Sequence, residues 1–459
     1  MRLGIFVGVL CALISGTAFG AEDSVHCNTV LLANVNDYPS NPNGYQDCWG
    51  YVAPNGDEYA LMTYNTGTII YNITDPLNPA FVSFLPGLVS SGWHDVKTLG
   101  HYAYVVSEGT GHGMQIIDMS DPEAPFIVTN WFGSGFSTAH NIFIDTTSSM
   151  AYLCGTNANQ GFRMVDLSNP IAPVQVGTWN TQYIHDLWVG NDTAYVACIN
   201  AQEFRILDTS NPASIVNLAT FNYGRSSHHI APLSGHDSFV TADEQPNGAV
   251  RCWNVTDYQN IYQTSRYKVG GFETSAHNVH TVGDTAYIAY YGNGLRIVDF
   301  SDRDNEVELG FWDTHPQPGA GVYDGAWGCY PFLPSGTIIV SDRQTGLYLI
   351  RLQTATSVAD GAPLSTTRAQ LLPNMPNPFN PTTSIRYSLP AAGPVDVAIY
   401  SQSGRLVRNL VSGTEDAGTH TTLWDGRDNS GRGVASGVYL YRLEYDGATA
   451  ETRKLNLIR

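Results

Sequence analysis

The sequence predicts an all-β protein: a seven-bladed β-propeller followed by a small Ig-like β-sandwich. Three observations carry this. A strand of the type Leu295-Arg296-Ile297-Val298-Asp299 recurs as Thr68–Asn72, Met114–Asp118, Phe162–Asp166, Phe204–Asp208, Val250–Asn254 and Leu347–Arg351. These seven copies end at 72, 118, 166, 208, 254, 299 and 351, a spacing that suits one four-stranded blade each. The composition agrees, since 45 Gly and 26 Tyr fit a chain of strands and tight turns, and 43% hydrophobic against 14% charged residues can bury a large core. Beyond about residue 372 the repeat stops, and apolar and polar residues alternate in Val395–Tyr400 and Val438–Leu443 between glycine turns.

Taken in order, residues 1–20 read as a cleaved signal peptide, with Arg2, an apolar run from Leu3 to Ile14 and the small-residue end Ala18-Phe19-Gly20. No later stretch is apolar for long enough to span a bilayer as a helix. Six cysteines follow (Cys27, Cys48, Cys154, Cys198, Cys252, Cys329), an even number that an oxidising compartment allows to pair, in an order spacing does not reveal. The formal charge of −19 argues against nucleic acid.

Residues 21–352 form the propeller. Each unit runs from a short inner strand near His or Trp, through an apolar strand such as Thr193–Ala197, to the repeat strand and an outer strand. Asp118-Met-Ser-Asp-Pro122, Asp166-Leu-Ser-Asn-Pro170 and Asp208-Thr-Ser-Asn-Pro212 close the turn before the outer strand, because a short carboxylate accepts backbone N–H groups and proline cannot continue a ladder. The seventh copy has no outer strand after it, whereas Asn28–Val35 is an outer-type strand with nothing before it. Donating that strand to the last blade closes the ring and hides two sheet edges. Residues 353–371 read as a Ser/Thr/Ala-rich linker and 372–459 as the second domain. From Pro373 onward nine Lys/Arg stand against eight Asp/Glu, so nearly all the acidity belongs to the propeller.

The chemistry-bearing pattern is a histidine at the start of successive inner strands: His94, His140, His185, His229 and His277, with Trp49 and Trp327 in that place in the first and last units. About fourteen residues later the neighbouring strand returns to the same face at Glu108, Cys154, Cys198, Asp243-Glu244, Tyr291 or Asp342. Imidazole, thiol and carboxylate are zinc, copper or iron ligands by type, so His94, His140, His185, His229 and His277, with Glu108, Asp243 and Glu244, can hold a divalent metal. The competing reading is interblade packing, in which five equivalent slots each take a histidine bonded to a neighbouring backbone. No Gly-x-Ser-x-Gly elbow, phosphate loop or zinc-protease helix motif is present, and no other cofactor is implied.

The repeat strand Leu295–Asp299, with Trp49-Gly50, His140–Asp145, His277-Asn278 and Ala326–Phe332, resembles the LVIVD-repeat propellers of the choice-of-anchor B family. The tail resembles the FlgD-like, type IX secretion sorting domains found at the C-termini of bacterial surface proteins. The residues that carry it are Asn377, Pro378, Phe379, Asn380 and Pro381, Ile385-Arg-Tyr387, Gly404-Arg405, Trp424–Arg427, Ser436–Tyr439, and Arg453 with Lys454. These resemblances imply a protein exported through the periplasm and secreted or held at the cell surface. There it acts as a binding or interaction module, with the outer-membrane secretion machinery and an extracellular protein or glycan as partners. The alternative is an extracytoplasmic metal-dependent enzyme working at the histidine face.

Overall fold

The computed structural model describes residues 26–38, 44–158, 161–269, 275–316, 321–353, 369–371, 383–416, 418–435 and 437–457. The leader at 1–20 and Asn377, Pro378, Phe379, Asn380 and Pro381 lie outside them. The chain divides into two compact units, Met1–Leu352 and Gln353–Arg459.

In the first unit the described strands pair into seven antiparallel sheets. One of these runs His94–Leu99, Tyr102–Ser107, Met114–Asp118 and Phe126–Trp131, in chain order from one edge to the other. Its second and third strands are buried almost throughout, while its fourth has no fully buried residue. The repeat strands therefore read as continuous apolar runs, because both faces of each are covered. The cover comes from neighbouring sheets: Tyr104, Val106 and Ile116 pack on Ile142, Leu153 and Val165 of the next. In the same way Leu295 and Ile297 meet Val340 and Ile350, and Ala60, Met62 and Ile69 of the first sheet meet Leu347 and Leu349 of the last. The cores lie between sheets, as in a β-propeller.

The last sheet takes its outer strand from the start of the chain. Thr29–Val35 pairs antiparallel with Gly346–Leu352, Thr29 opposite Leu352 and Val35 opposite Leu347. Asn34 Nδ2 donates to the Thr345 and Leu347 carbonyls at 3.0 Å each. Just upstream, His26–Cys27 adds to the preceding sheet along Val307–Trp312, so one short segment ties two sheets together. The turn carboxylates act as expected: Asp118, Asp166, Asp208 and Asp299 each accept the N–H two residues on, at 2.7, 2.7, 2.9 and 2.8 Å. At Asp166 that backbone bond, then the Ser168 hydroxyl, lowers the carboxyl pKa.

Among the described residues Cys48, Cys154, Cys198, Cys252 and Cys329 are buried thiols. The expected chance of pairing is not taken up by these five; they fill apolar contacts between sheets as small hydrophobic groups.

The second unit has a sheet of Gln370–Leu371, Thr383–Leu389 and Gly418–Trp424, and another of Leu406–Glu415, Gly393–Ser401, Gly437–Tyr445 and Ala448–Leu457. Trp424, Tyr387, Ile399, Tyr441 and Leu455 are buried together in its core. Arg453 and Lys454 stand on the last strand, opposite Tyr441 and Leu440, with Arg453 Nε 2.9 Å from Glu451 Oε1. No described helix is long and apolar enough to cross a membrane.

Because the first strand completes the last sheet, a chain beginning at Asn36 should melt well below one beginning at His26, by at least ~5 °C in a circular-dichroism melt. Equal melting temperatures would show that the pairing adds nothing to stability.

Candidate functional site

The innermost strand of each sheet faces the middle of the disc, where it is an edge with unpaired backbone groups. The residues there supply their own acceptors. Asp47, Asp95, Asn141 and Asp186 each take the N–H of the following residue on Oδ1, at 2.8, 2.7, 2.9 and 2.7 Å. The residue before each is a histidine in three of the four: His94, His140 and His185. A His-Asp/Asn pair therefore recurs at 94–95, 140–141, 185–186 and 277–278, a signal legible in the sequence.

β-Bulges decide which residue occupies this place elsewhere. In Ser227–Pro232 the register shifts between Ser227 and His229, leaving His228 as the extra residue. The histidine column thus passes through His228 rather than His229. A bulge between Tyr45 and Cys48 puts Gln46 beside this column, with its Oε1 2.8 Å from His94 Nδ1; Trp49 stands three residues further along. Trp327 does hold the column's place, its ring 4.6 Å from that of His277.

His140, His185, His228 and His277 form a continuous row with ring-centroid spacings of 4.0, 4.2 and 4.0 Å. Separate slots would keep these rings apart, yet bonding to a neighbouring backbone occurs as well: His277 Nδ1 lies 2.5 Å from the Trp327 carbonyl, and His94, His185 and His229 meet the backbone of Val89, His228 and Val279. Of the other expected residues, Glu108 holds His140 Nδ1 at 2.7 Å, and Glu244 lies 3.7 Å from His228 Nε2 and 4.0 Å from His277 Nε2. His94 turns to His112 and Gln46. Asp243 is engaged by Arg251 at 2.8 Å and the Tyr223 hydroxyl at 3.0 Å. Burial lowers the His94 and His277 pKa values to about 3, and burial followed by neighbouring imidazoles holds His185 and His228 well below the ordinary value. These rings are neutral at pH 7, with lone pairs free to bind.

One residue deeper lies a polar ring that sequence reasoning missed. Lys97 Nζ sits 2.5 Å from Asp95 and 3.8 Å from Asp47, and 4.5 Å from the Trp49 ring centroid. Asn141 Nδ2 donates to Asp186 Oδ2 at 2.6 Å, His229 Nε2 is 3.3 Å from the same oxygen, and Asn278 Nδ2 donates to Asp47 at 3.2 Å. Three buried carboxylates share one ammonium. Burial pushes Asp186 and Asp47 well up, Lys97 opposing it at Asp47, whereas at Lys97 the two flanking carboxylates outweigh burial and raise its pKa. In the last sheet Gly328 stands where the others carry Asp, Asn or His; a Cβ there would lie 2.0 Å from Asp47 Oδ1, so the glycine makes room for that carboxylate.

Asp47, Asn141 and Asn278 line both ends of the channel. On the histidine side the space is small, about 20 Å³. On the other side a cavity of about 260 Å³ opens between Trp49, Phe143, Trp188, His280 and Phe332, with Lys97, Asp186 and His229 at its floor. His229 thus belongs to this floor and not to the histidine mouth. Two buried floor atoms, His229 Nδ1 and Asn278 Oδ1, have no hydrogen-bond partner.

Comparison with known proteins agrees with this architecture. The family description "LVIVD repeat" matches residues 93–131, 151–181, 183–222 and 274–314, and "FlgD Ig-like domain" matches 380–449. The chain is a β-propeller with LVIVD repeats and a C-terminal FlgD Ig-like domain. A solved structure of PorZ, described as an essential bacterial surface component of the type-IX secretion system of Porphyromonas gingivalis, is 14% identical with a TM-score of 0.49. That match covers 92% of this chain and 60% of PorZ. No curated protein matches the sequence.

His94 offers a clean pH test. Its folded pKa of about 3 lies below the ordinary 6.5, so on acidification the unfolded chain takes up a proton that the folded chain does not. Its contribution is complete above that ordinary value and is lost as the pH falls towards 3. Relative to a His94→Gln variant, the wild type should lose up to ~1.4 kcal/mol of unfolding free energy per pH unit below pH ~6.5. A pH-independent difference in denaturant titrations would contradict the buried neutral imidazole.

Proposed function

We propose that this chain is a secreted, cell-surface-delivered seven-bladed β-propeller acting as a binding module, and that its ligand is a saccharide ring seated in the aromatic-walled end of the channel. The observation that carries the reading is the cavity itself. Trp49, Phe143, Trp188 and Phe332 line it beside His229 Nδ1 and Asn278 Oδ1, two buried atoms without a hydrogen-bond partner. A sugar ring presents C–H faces to aromatic walls and hydroxyl donors to both acceptors. Unmet, those two buried atoms each cost about 1–3 kcal/mol. Ligand pockets generally start near ~300 Å³, so a cavity of about 260 Å³ suits one ring or the terminal unit of a glycan rather than a long chain.

In this reading the FlgD Ig-like domain is the secretion and anchoring signal. It engages the outer-membrane secretion machinery through Asn377–Pro381 and the Arg453-Lys454 strand, and the choice-of-anchor B assignment belongs to the same proposal. The leader-like N-terminus and the tail's match to the FlgD Ig-like description support it. No observation favours catalysis in particular.

Two experiments separate these parts. On a glycan array the full chain should bind a restricted set of terminal sugars, and Trp188→Ala should weaken that binding at least ~10-fold while the melting temperature stays near wild type; a wild-type protein that binds no saccharide sinks the ligand assignment. In the native cell, truncation after Gln353 should leave a folded propeller in the periplasm. Normal amounts of the truncated form at the surface would remove the sorting role.

A further inference from the structure

The histidine mouth at the other end of the channel contains a second, chemically different arrangement. His277 Nδ1 lies 2.5 Å from the Trp327 carbonyl. A carbonyl only accepts, so the Nδ1 carries the proton and Nε2 keeps its lone pair. That Nε2 is 4.0 Å from Glu244 Oε1, and His228 Nε2 is 3.7 Å from Glu244 Oε2. The Tyr291 hydroxyl donates to Glu244 Oε1 at 2.6 Å, fixing the carboxylate from behind. His228 Nδ1 is buried and has no hydrogen-bond partner. One donor atom from each of His228, Glu244 and His277 lies within 4.8 Å of the others. A tetrahedral zinc ion with bonds of about 2.0–2.2 Å holds its donors ~3.4 Å apart, so the two His–Glu separations of 3.7 and 4.0 Å need closing by about 0.3 and 0.6 Å and the His–His pair, within 4.8 Å, by at most about 1.4 Å.

We propose that His228, His277 and Glu244 form a binding site for one divalent transition cation of the zinc type, with an open fourth position facing the channel mouth. The donor set is two imidazoles and a carboxylate, borderline ligands that suit zinc and disfavour calcium or magnesium. The Trp327 carbonyl behind His277 and the Tyr291 hydroxyl behind Glu244 are the outer partners that orient such ligands. A second set, His140, His185 and His228, is equally compact but shares His228, so one ion occupies one set or the other. Charge favours the first. Three neutral imidazoles leave a dication uncompensated, whereas Glu244 adds a carboxylate to the donor set, the Arg343 guanidinium acting on it from nearby. The site uses none of the cavity floor, so it stands or falls separately from the saccharide reading.

The test uses the full chain, stripped with chelator and titrated with Zn²⁺ by calorimetry and with Co²⁺ by visible absorption. One equivalent of Zn²⁺ should bind, and Co²⁺ should show the intense d–d bands of four- or five-coordination. Glu244→Gln and His228→Gln should each weaken Zn²⁺ at least ~100-fold, and Tyr291→Phe about 10-fold or more; His140→Gln and the control His94→Gln should leave affinity within about threefold, below the ~10-fold of a lost outer partner. Tyr291→Phe keeps the packing and removes only a hydroxyl, so it reads out the site even where a ligand variant misfolds. No binding by the wild type overturns the proposal. So does loss of binding in His140→Gln with Glu244→Gln unaffected, which would move the ion to the other set.

Discussion

Antiparallel pairing of Thr29–Val35 with Gly346–Leu352 is the contact on which the disc depends. It joins residues more than three hundred positions apart, so its loop-closure entropy is large and is offset only when the intervening sheets are already stacked. Once it forms, the Gly346–Leu352 strand is no longer an outer edge, and the core between the first and last sheets, Met62 and Ile69 against Leu347 and Leu349, is packed. Every inward-facing residue then has its place set by this closure. Without it the inner strands could splay, and no shared channel would exist for them to line.

The middle of the disc carries the cost of that arrangement. The described inner strands present edge amides to one narrow space, and Asp or Asn side chains satisfy several of them by bonding the next residue's N–H. That solution concentrates carboxylates in a buried place, where each must be neutralised, protonated or hydrogen-bonded. Lys97, Asn141 and His229 do this in turn. The polar septum is thus a consequence of capping strand edges, and it divides the channel into a histidine mouth and an aromatic-walled cavity with different chemistry. Function at either end rests on a device that backbone hydrogen bonding required.

Recurrence of a residue type proved a better guide to position than to partners. Of the five evenly spaced histidines, His94, His140, His185 and His277 stand on the mouth side and His229 does not, and which ones touch depends on bulges. A single extra residue in Ser227–Pro232 sends His228 to the mouth and His229 to the opposite cavity, because side chains alternate across a strand and a one-residue shift reverses their face. Likewise Asp243 is consumed by Arg251 while its neighbour Glu244 is turned towards His228 and His277. Nothing in a period of about 45 residues distinguishes these neighbours.

The amino-acid sequence by itself determined the order of the repeat strands, the carboxylate turns that follow them and the displaced outer strand within Asn28–Val35. Each of these is local or periodic: a two-sided buried strand needs a continuous apolar run, and a turn needs its Asp and Pro within five residues. Only the tertiary structure decided that the five buried cysteines stay apart, that Lys97 meets Asp95 and Asp47, that Gly328 yields space to Asp47, and that four histidines line up in contact. Those outcomes depend on distances between separate sheets, which are set by how strands bulge and stack around the ring and leave no mark within any one repeat.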